Sequence, residues 1–224
     1  MFFSFFLDSQ NHGSYSLLQL LLRKVVAMAT IDRHDALLVI DVQNDFLPGG
    51  ALGVRNGDRI IPVINRISGF FTTRVFTRDW HPSNHVSFSR NPQFLDQSWP
   101  PHCIQNTWGA QFHPDLTIGR EDRIVTIGDN PLEENYSSFH NTDLAAELRH
   151  QNIRRIFIAG LATDYCVLTS AMDGRQAGFD VLVLEDAVAG VDVPPGSVAR
   201  ALQTMRDRGV HILSTGDLVL SKTY

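Results

Sequence analysis

The sequence predicts an α/β fold, a doubly wound, mainly parallel sheet of six strands with helices on both faces. Three observations predict it. From Ala36 onward, short apolar runs alternate with amphipathic stretches, the pattern of parallel strands joined by crossover helices. A chain of 224 residues, 43% of them hydrophobic, can bury a full core and suits one α/β domain better than two. Polar, chemically capable residues follow several of the apolar runs, as expected where loops at the carboxyl ends of parallel strands line a crevice.

Residues 1–27 stand apart from this pattern. MFFSFF and the apolar run LLQLLL precede Arg23 and Lys24, so the cations follow the apolar stretch where a signal peptide would have them in front. The run is also too short to span a bilayer. Met28 would serve equally well as a start, and residues 1–27 are expected to be an extension, disordered or outside the core fold, with the domain in 28–224.

The expected strands are ALLVI (36–40), RVFT (74–77), RIVTI (123–127), RIFIAG (155–160), DVLVLE (180–185) and VHILS (210–214). Between them, 56–69, 142–152, 164–178 and 195–209 carry apolar residues at spacings of three and four, with polar or glycine boundaries, and read as helices. Trp80 to Asp122 fits neither period. A loop that long in a compact domain is usually functional. It holds all three tryptophans, Trp80, Trp99 and Trp108, beside His81, His85, His102 and His113, which describes a pocket for a small, flat, polar ligand.

A net charge of −5 without a basic stripe excludes nucleic acid as an expected partner, and no span points to a membrane. Two cysteines, Cys103 and Cys166, make no disulfide framework, so a reducing, cytoplasmic setting is expected. A homo-oligomer stays open.

Asp41 follows the first strand, Asp79 the second, and Cys166 lies a few residues past the fourth. Each has a plain reading, as a turn cap, a solvated loop acid and a small core residue, free cysteine being among the most buried types. Their joint placement favours chemistry. Asp79 and His81 sit two apart in an extended segment, so both side chains face one way, and His102 can close a third position from across the loop. One carboxylate and two imidazoles suit zinc, iron or manganese and leave positions open. His85 is a weaker ligand or a partner of the ligands. Loop histidines that are merely packed are the alternative.

Five blocks, DVQNDFLPGGALGV (41–54), TRDWHPSNHVSF (77–88), WPPHCIQNTWGAQFHPDL (99–116), ENYSSF (134–139) and GLATDYCV (160–167), resemble in order and spacing the nicotinamidases of the isochorismatase-like cysteine hydrolases. The resemblance runs from about Ala36 to the end of the chain. It implies the isochorismatase-like fold and hydrolysis of nicotinamide to nicotinate and ammonia, a step of NAD salvage. It also implies that Asp41 is the general base, that Cys166 forms a thioester, and that the amides of Ala162 and Cys166 form an oxyanion hole. A helix start at Cys166 would lower its pKa. Leu161–Ala162 would be a cis peptide. Asp79, His81 and His102 would bind one divalent ion, zinc before iron or manganese, that holds the pyridine nitrogen, and Phe46, Trp99 and Tyr136 would wall the ring.

One position departs from the family pattern. Where the family has a Lys-Gly pair at the end of the third strand, this chain has Ile127 and Gly128, and its only lysines are Lys24 and Lys222. An ammonium beside Asp41 and Cys166 would favour the thiolate. Its loss has three explanations: a substitution in an otherwise active enzyme, a natural variant that uses another cation, or a protein that binds nicotinamide without hydrolysing it. The leading reading is an impaired nicotinamidase, and the alternatives are an inactive nicotinamide- or nicotinate-binding protein of the same fold or a cysteine amidohydrolase for another small amide. The ring-wall aromatics and the DWHP block argue against the last.

Overall fold

A computed structural model describes residues 29–94 and 96–220; the extension expected at residues 1–27 lies outside them. The strands in chain order are β1 (Ala29–Thr30), β2 (Asp35–Ile40), β3 (Thr73–Asp79), β4 (Arg123–Ile127), β5 (Arg155–Leu161), β6 (Asp180–Ala189), β7 (His211–Leu213) and β8 (Leu218–Val219). All six expected strands form, in one sheet of order β4-β3-β2-β5-β6-β7 whose every pair is parallel. Strand β6 runs four residues past its expected end at Glu185. The short β1–β8 pair was not expected, since two residues carry no readable period.

The β2 sequence DALLVI is buried throughout, as a central parallel strand covered on both faces must be. Leu37 and Val39 pack on one face with Phe76, Phe157 and the isoleucines of α1 (Ile60–Ser68). Ala36, Leu38 and Ile40 pack on the other. There they meet α2 (Leu144–His150) through Leu144 and Leu148, α3 (Leu168–Gln176) through Ala171, and α4 (Ser197–Asp207) through Met205. The four expected helices thus split between the two faces. Among the described residues, no helix is long and apolar enough to cross a membrane.

The chain starts the main sheet at β2, builds β3 and β4 on one side, then returns to lay β5 on the other. That reversal opens a crevice at the carboxyl ends of β2 and β5. Gly160, at φ +114°, brings the two strands together: a Cβ there would lie 2.0 Å from the Ile40 carbonyl oxygen. The long loop folds over the crevice and joins the core through Cys103, Ala110 and Leu116, with isolated bridges at Gln43–Phe112, His81–Ile104 and Phe88–Trp99.

Candidate active site

Asp41 is the first residue beyond β2, fully buried and in the left-handed region at φ 49°. The Thr77 hydroxyl donates to its Oδ1 at 2.6 Å, while Oδ2 has no hydrogen-bond partner. Burial, and then the Asp79 charge, push its carboxyl up to about 8, against the opposing pull of Thr77, Cys166 and His81.

Cys166 arrives from the other side of the reversal. Strand β5 ends at Leu161, the Leu161–Ala162 peptide is cis, and a single π turn, Thr163–Val167, leads into α3. The Ala162 carbonyl closes this turn by accepting from the Tyr165 and Val167 amides at 3.0 and 3.1 Å. Sγ of Cys166 and one carboxylate oxygen each from Asp41 and Asp79 lie within 4.8 Å of one another. Burial first, then the Asp41 and Asp79 charges, hold the thiol well above its ordinary pKa. The lowering expected from a helix start is outweighed, because the thiol is buried and two buried carboxylates face it. The second cysteine, Cys103, is packed in the core.

Asp79, His81 and His102 are all buried and converge, their ligand atoms within 4.8 Å of one another. His81 Nδ1 bonds to the Gly128 carbonyl at 2.8 Å and His102 Nδ1 to the Pro100 carbonyl at 2.9 Å. Each ring therefore donates outward through Nδ1–H and turns Nε2 inward, where it can ligate an ion once deprotonated. The two Nε2 atoms lie 3.4 and 3.8 Å from Asp79 Oδ2. Asp79 Oδ1 and His81 Nε2 are buried without a hydrogen-bond partner, which a native interior tolerates where a ligand completes them. The donor set fits a divalent metal. Burial opposes charge on His81, yet the Asp79 carboxylate beside it lifts it to about 9; burial drives His102 down to about 4.

The support for this cluster is specific. Gly128, at φ +68°, is required because a Cβ there would lie 2.4 Å from His81 Cε1. Gln43, fully buried, accepts the Asp79 amide at 2.8 Å and donates to the Asp79 and Ala110 carbonyls at 2.7 and 2.9 Å. His85 has both nitrogens engaged, Nδ1 by Ser87 at 2.8 Å and Nε2 by the Glu133 carbonyl at 3.1 Å, and its ring lies 4.2 Å from that of His81. Beside them Glu134 keeps a buried, unpartnered Oε2, and burial raises its pKa.

A narrow, mostly apolar cleft opens over Cys166, Asp79 and His102. Phe46, Trp99 and Tyr136, which the resemblance gives as ring walls, line it together with Leu52, Tyr165 and Val191, which had not been singled out for it. Trp99 donates through Nε1 to the Tyr136 hydroxyl at 2.7 Å and meets the Tyr165 ring edge-on at 4.9 Å. Gln43, Thr77 and Glu134 were likewise missed. Tyr165 had a signal, its place beside Cys166 in DYC; Val191 had none.

Ile127 ends β4 directly beside Asp79 in register. Its side chain is 2% exposed and belongs to the same apolar cluster as Cys166. The described residues contain no lysine at all.

The match to the isochorismatase domain spans residues 35–217. The nicotinamidase of Acinetobacter baylyi is 38% identical over 206 residues, 83% of this chain and 94% of that protein. Among solved structures, the pyrazinamidase of Pyrococcus horikoshii in complex with zinc is 42% identical with a TM-score of 0.72, covering 81% of this chain and 99% of that one. PnC1 from L. infantum in complex with nicotinate is 37% identical with a TM-score of 0.77, covering 86% and 98%. The sheet order, the crevice at its reversal and these likenesses have one common source: the chain belongs to the isochorismatase family.

Proposed function

We propose that the chain is a metal-dependent nicotinamidase of low turnover, built to hydrolyse nicotinamide to nicotinate and ammonia. One observation carries the reading: the Cys166 thiol at an aromatic cleft lies within 4.8 Å of the Asp41 and Asp79 carboxylates, and Asp79 also belongs to the cluster with His81 and His102. Bound to Asp79, His81 and His102, a divalent ion, zinc before iron or manganese, supplies a Lewis-acid contact for a ring nitrogen and offsets the Asp79 charge.

In this reading Phe46, Trp99 and Tyr136 hold the flat ring so that its carboxamide faces Cys166. Asp41 Oδ2 takes the thiol proton, and sulfur bonds to the amide carbon. The negative oxygen that results is held by the Ala162 and Cys166 amides, a stabilisation worth roughly 10²–10³ in rate per donor. Asp41 returns its proton to the leaving nitrogen, and ammonia departs. Water, deprotonated by the same carboxylate, then opens the thioester to release nicotinate. A role in NAD salvage and a cytoplasmic location belong to this reading; two free cysteines agree with the latter.

The test is ammonia release from nicotinamide by the purified chain beside Cys166→Ala. Slow release that vanishes in the variant is expected. Equal rates from both proteins would remove Cys166, and the reading with it. A second reading is favoured by Ile127: with no lysine beside a buried Asp41, the chain binds nicotinamide or nicotinate without hydrolysing it. Calorimetric binding without turnover, persisting after Ile127→Lys, selects that one.

A further inference from the structure

The cleft wall contributed by the segment after β6 is a single residue, Val191. That segment is bolted to the turn that carries Cys166. The buried Asp164 carboxylate accepts from the Val191 amide at 3.0 Å, the Asp192 amide at 2.9 Å and the Ser197 hydroxyl at 2.5 Å. Its neighbour Tyr165 donates through its hydroxyl to the Val193 carbonyl at 2.9 Å. The fit is close as well: a Cβ on Gly190 would lie 2.8 Å from Asp164 Oδ1 and 3.2 Å from Thr163 Cβ. Two consecutive residues just before Cys166 thus fix where Val191 stands relative to the thiol.

We propose that Asp164 is a positioning residue that sets substrate selectivity, holding Val191 at a fixed distance from Cys166 so that the cleft takes an unsubstituted pyridine carboxamide and rejects one widened on the ring edge. This rests on the reading of the cleft as a nicotinamide site. A carboxylate suits the task because it only accepts, and here it meets three donors; an amide in its place would turn N–H groups toward N–H and O–H groups and release the segment. With the ring nitrogen toward the metal cluster and the carboxamide toward Cys166, C5 is the vertex opposite the anchored edge, so 5-methylnicotinamide is the probe.

Dissociation constants for nicotinamide and 5-methylnicotinamide are measured by calorimetry on the metal-loaded chain, on Asp164→Asn and on Ser197→Ala, which removes one donor of the three. Binding needs no turnover, so low activity does not blur the result. The unaltered chain should prefer nicotinamide by about tenfold or more, one methyl in a tight pocket being worth about 10–200-fold. Asp164→Asn should cut that preference at least threefold, and Ser197→Ala should shift it the same way by less. A merely structural role would lower melting temperature and binding-competent fraction while leaving the ratio of the two constants unchanged. If the unaltered chain binds nicotinamide and the ratio stays constant in folded Asp164→Asn and Ser197→Ala, the positioning role is wrong. If the unaltered chain binds neither compound, the nicotinamide reading falls, and this inference with it.

Discussion

Lysine in place of Ile127 should raise nicotinamide hydrolysis by about two orders of magnitude or more. Position 127 stands beside Asp79 in register and in the same buried cluster as Cys166, so a four-carbon stem from there reaches the carboxylates facing the thiol. Asp41 sits at about 8, chiefly through burial and then through Asp79. An ammonium about 4–5 Å away, at an effective dielectric of about 20, favours the carboxylate by roughly 3–4 kcal/mol, which is about two to three pKa units. At neutral pH that would take Asp41 from mostly protonated to mostly ionised, a gain in usable base on the order of tenfold before an ion offsets the Asp79 charge. The same charge favours the Cys166 thiolate, and a positioned charge or proton-transfer partner typically contributes about 10²–10⁴. The assay is initial ammonia release at saturating nicotinamide, with Cys166 alkylation by iodoacetamide followed against pH as a second readout. Burying an ammonium also costs stability, so melting temperature and metal content accompany each rate, and Ile127→Met controls for a long uncharged side chain. Indistinguishable rates and alkylation profiles for the unaltered, Ile127→Met and Ile127→Lys proteins, all folded and metal-loaded, would refute the reasoning.

Gly128→Ala should destabilise the chain by about 2 kcal/mol or more and weaken metal binding, because the new Cβ falls 2.4 Å from His81 Cε1 at a left-handed φ; urea unfolding and chelator competition measure both. Stripping the metal should lower the melting temperature, since an ion at a hundredfold its dissociation constant contributes about 2.7 kcal/mol, and His102→Ala should abolish the difference. In metal-stripped protein, Asp41 should make stability fall as pH rises from about 4 to 8. Its pKa is raised in the folded chain, so across that window the folded state holds more protons than the unfolded one and loses ground as they leave. Unfolding free energies from urea titrations between pH 5 and 8 should fall by roughly a few kcal/mol in total, with a clearly weaker slope in Asp41→Asn. Gln43→Met should cost about 2–5 kcal/mol by leaving the Asp79 amide and two carbonyls without partners, read as a shift in unfolding midpoint.

Local period made the sheet and helices legible. ALLVI in β2 and IFIAGL in β5 are continuous apolar runs of strand length, and a helix such as LAAELRH shows its stripe within seven residues. The convergence of Asp41, Asp79 and Cys166 was legible because a parallel sheet converts a place at or just after a strand's end into a place in the crevice. The Asp79–His81 pair was visible for a related reason, the two-residue repeat of extended chain. What stayed hidden depends on contacts between distant segments. Gln43 matters through Asp79 and Ala110, Thr77 through Asp41, and Asp164 through residues 191–197; no repeat in the sequence marks any of them. Val191 escaped because β6 runs on to Ala189, beyond where its apolar run fades. The raised thiol of Cys166 was unreadable too, since it comes first from burial in the assembled fold and then from two carboxylates delivered by other strands.

Gln43 joins a metal-facing carboxylate to a loop more than thirty residues further on, since one amide group grips both the Asp79 backbone and the Ala110 carbonyl. Neither end can shift without disturbing the other. Ion uptake should therefore be felt as slowed solvent exchange at backbone amides around residues 109–112, remote from the ligands themselves, and the covering loop becomes a reporter of occupancy as well as a roof.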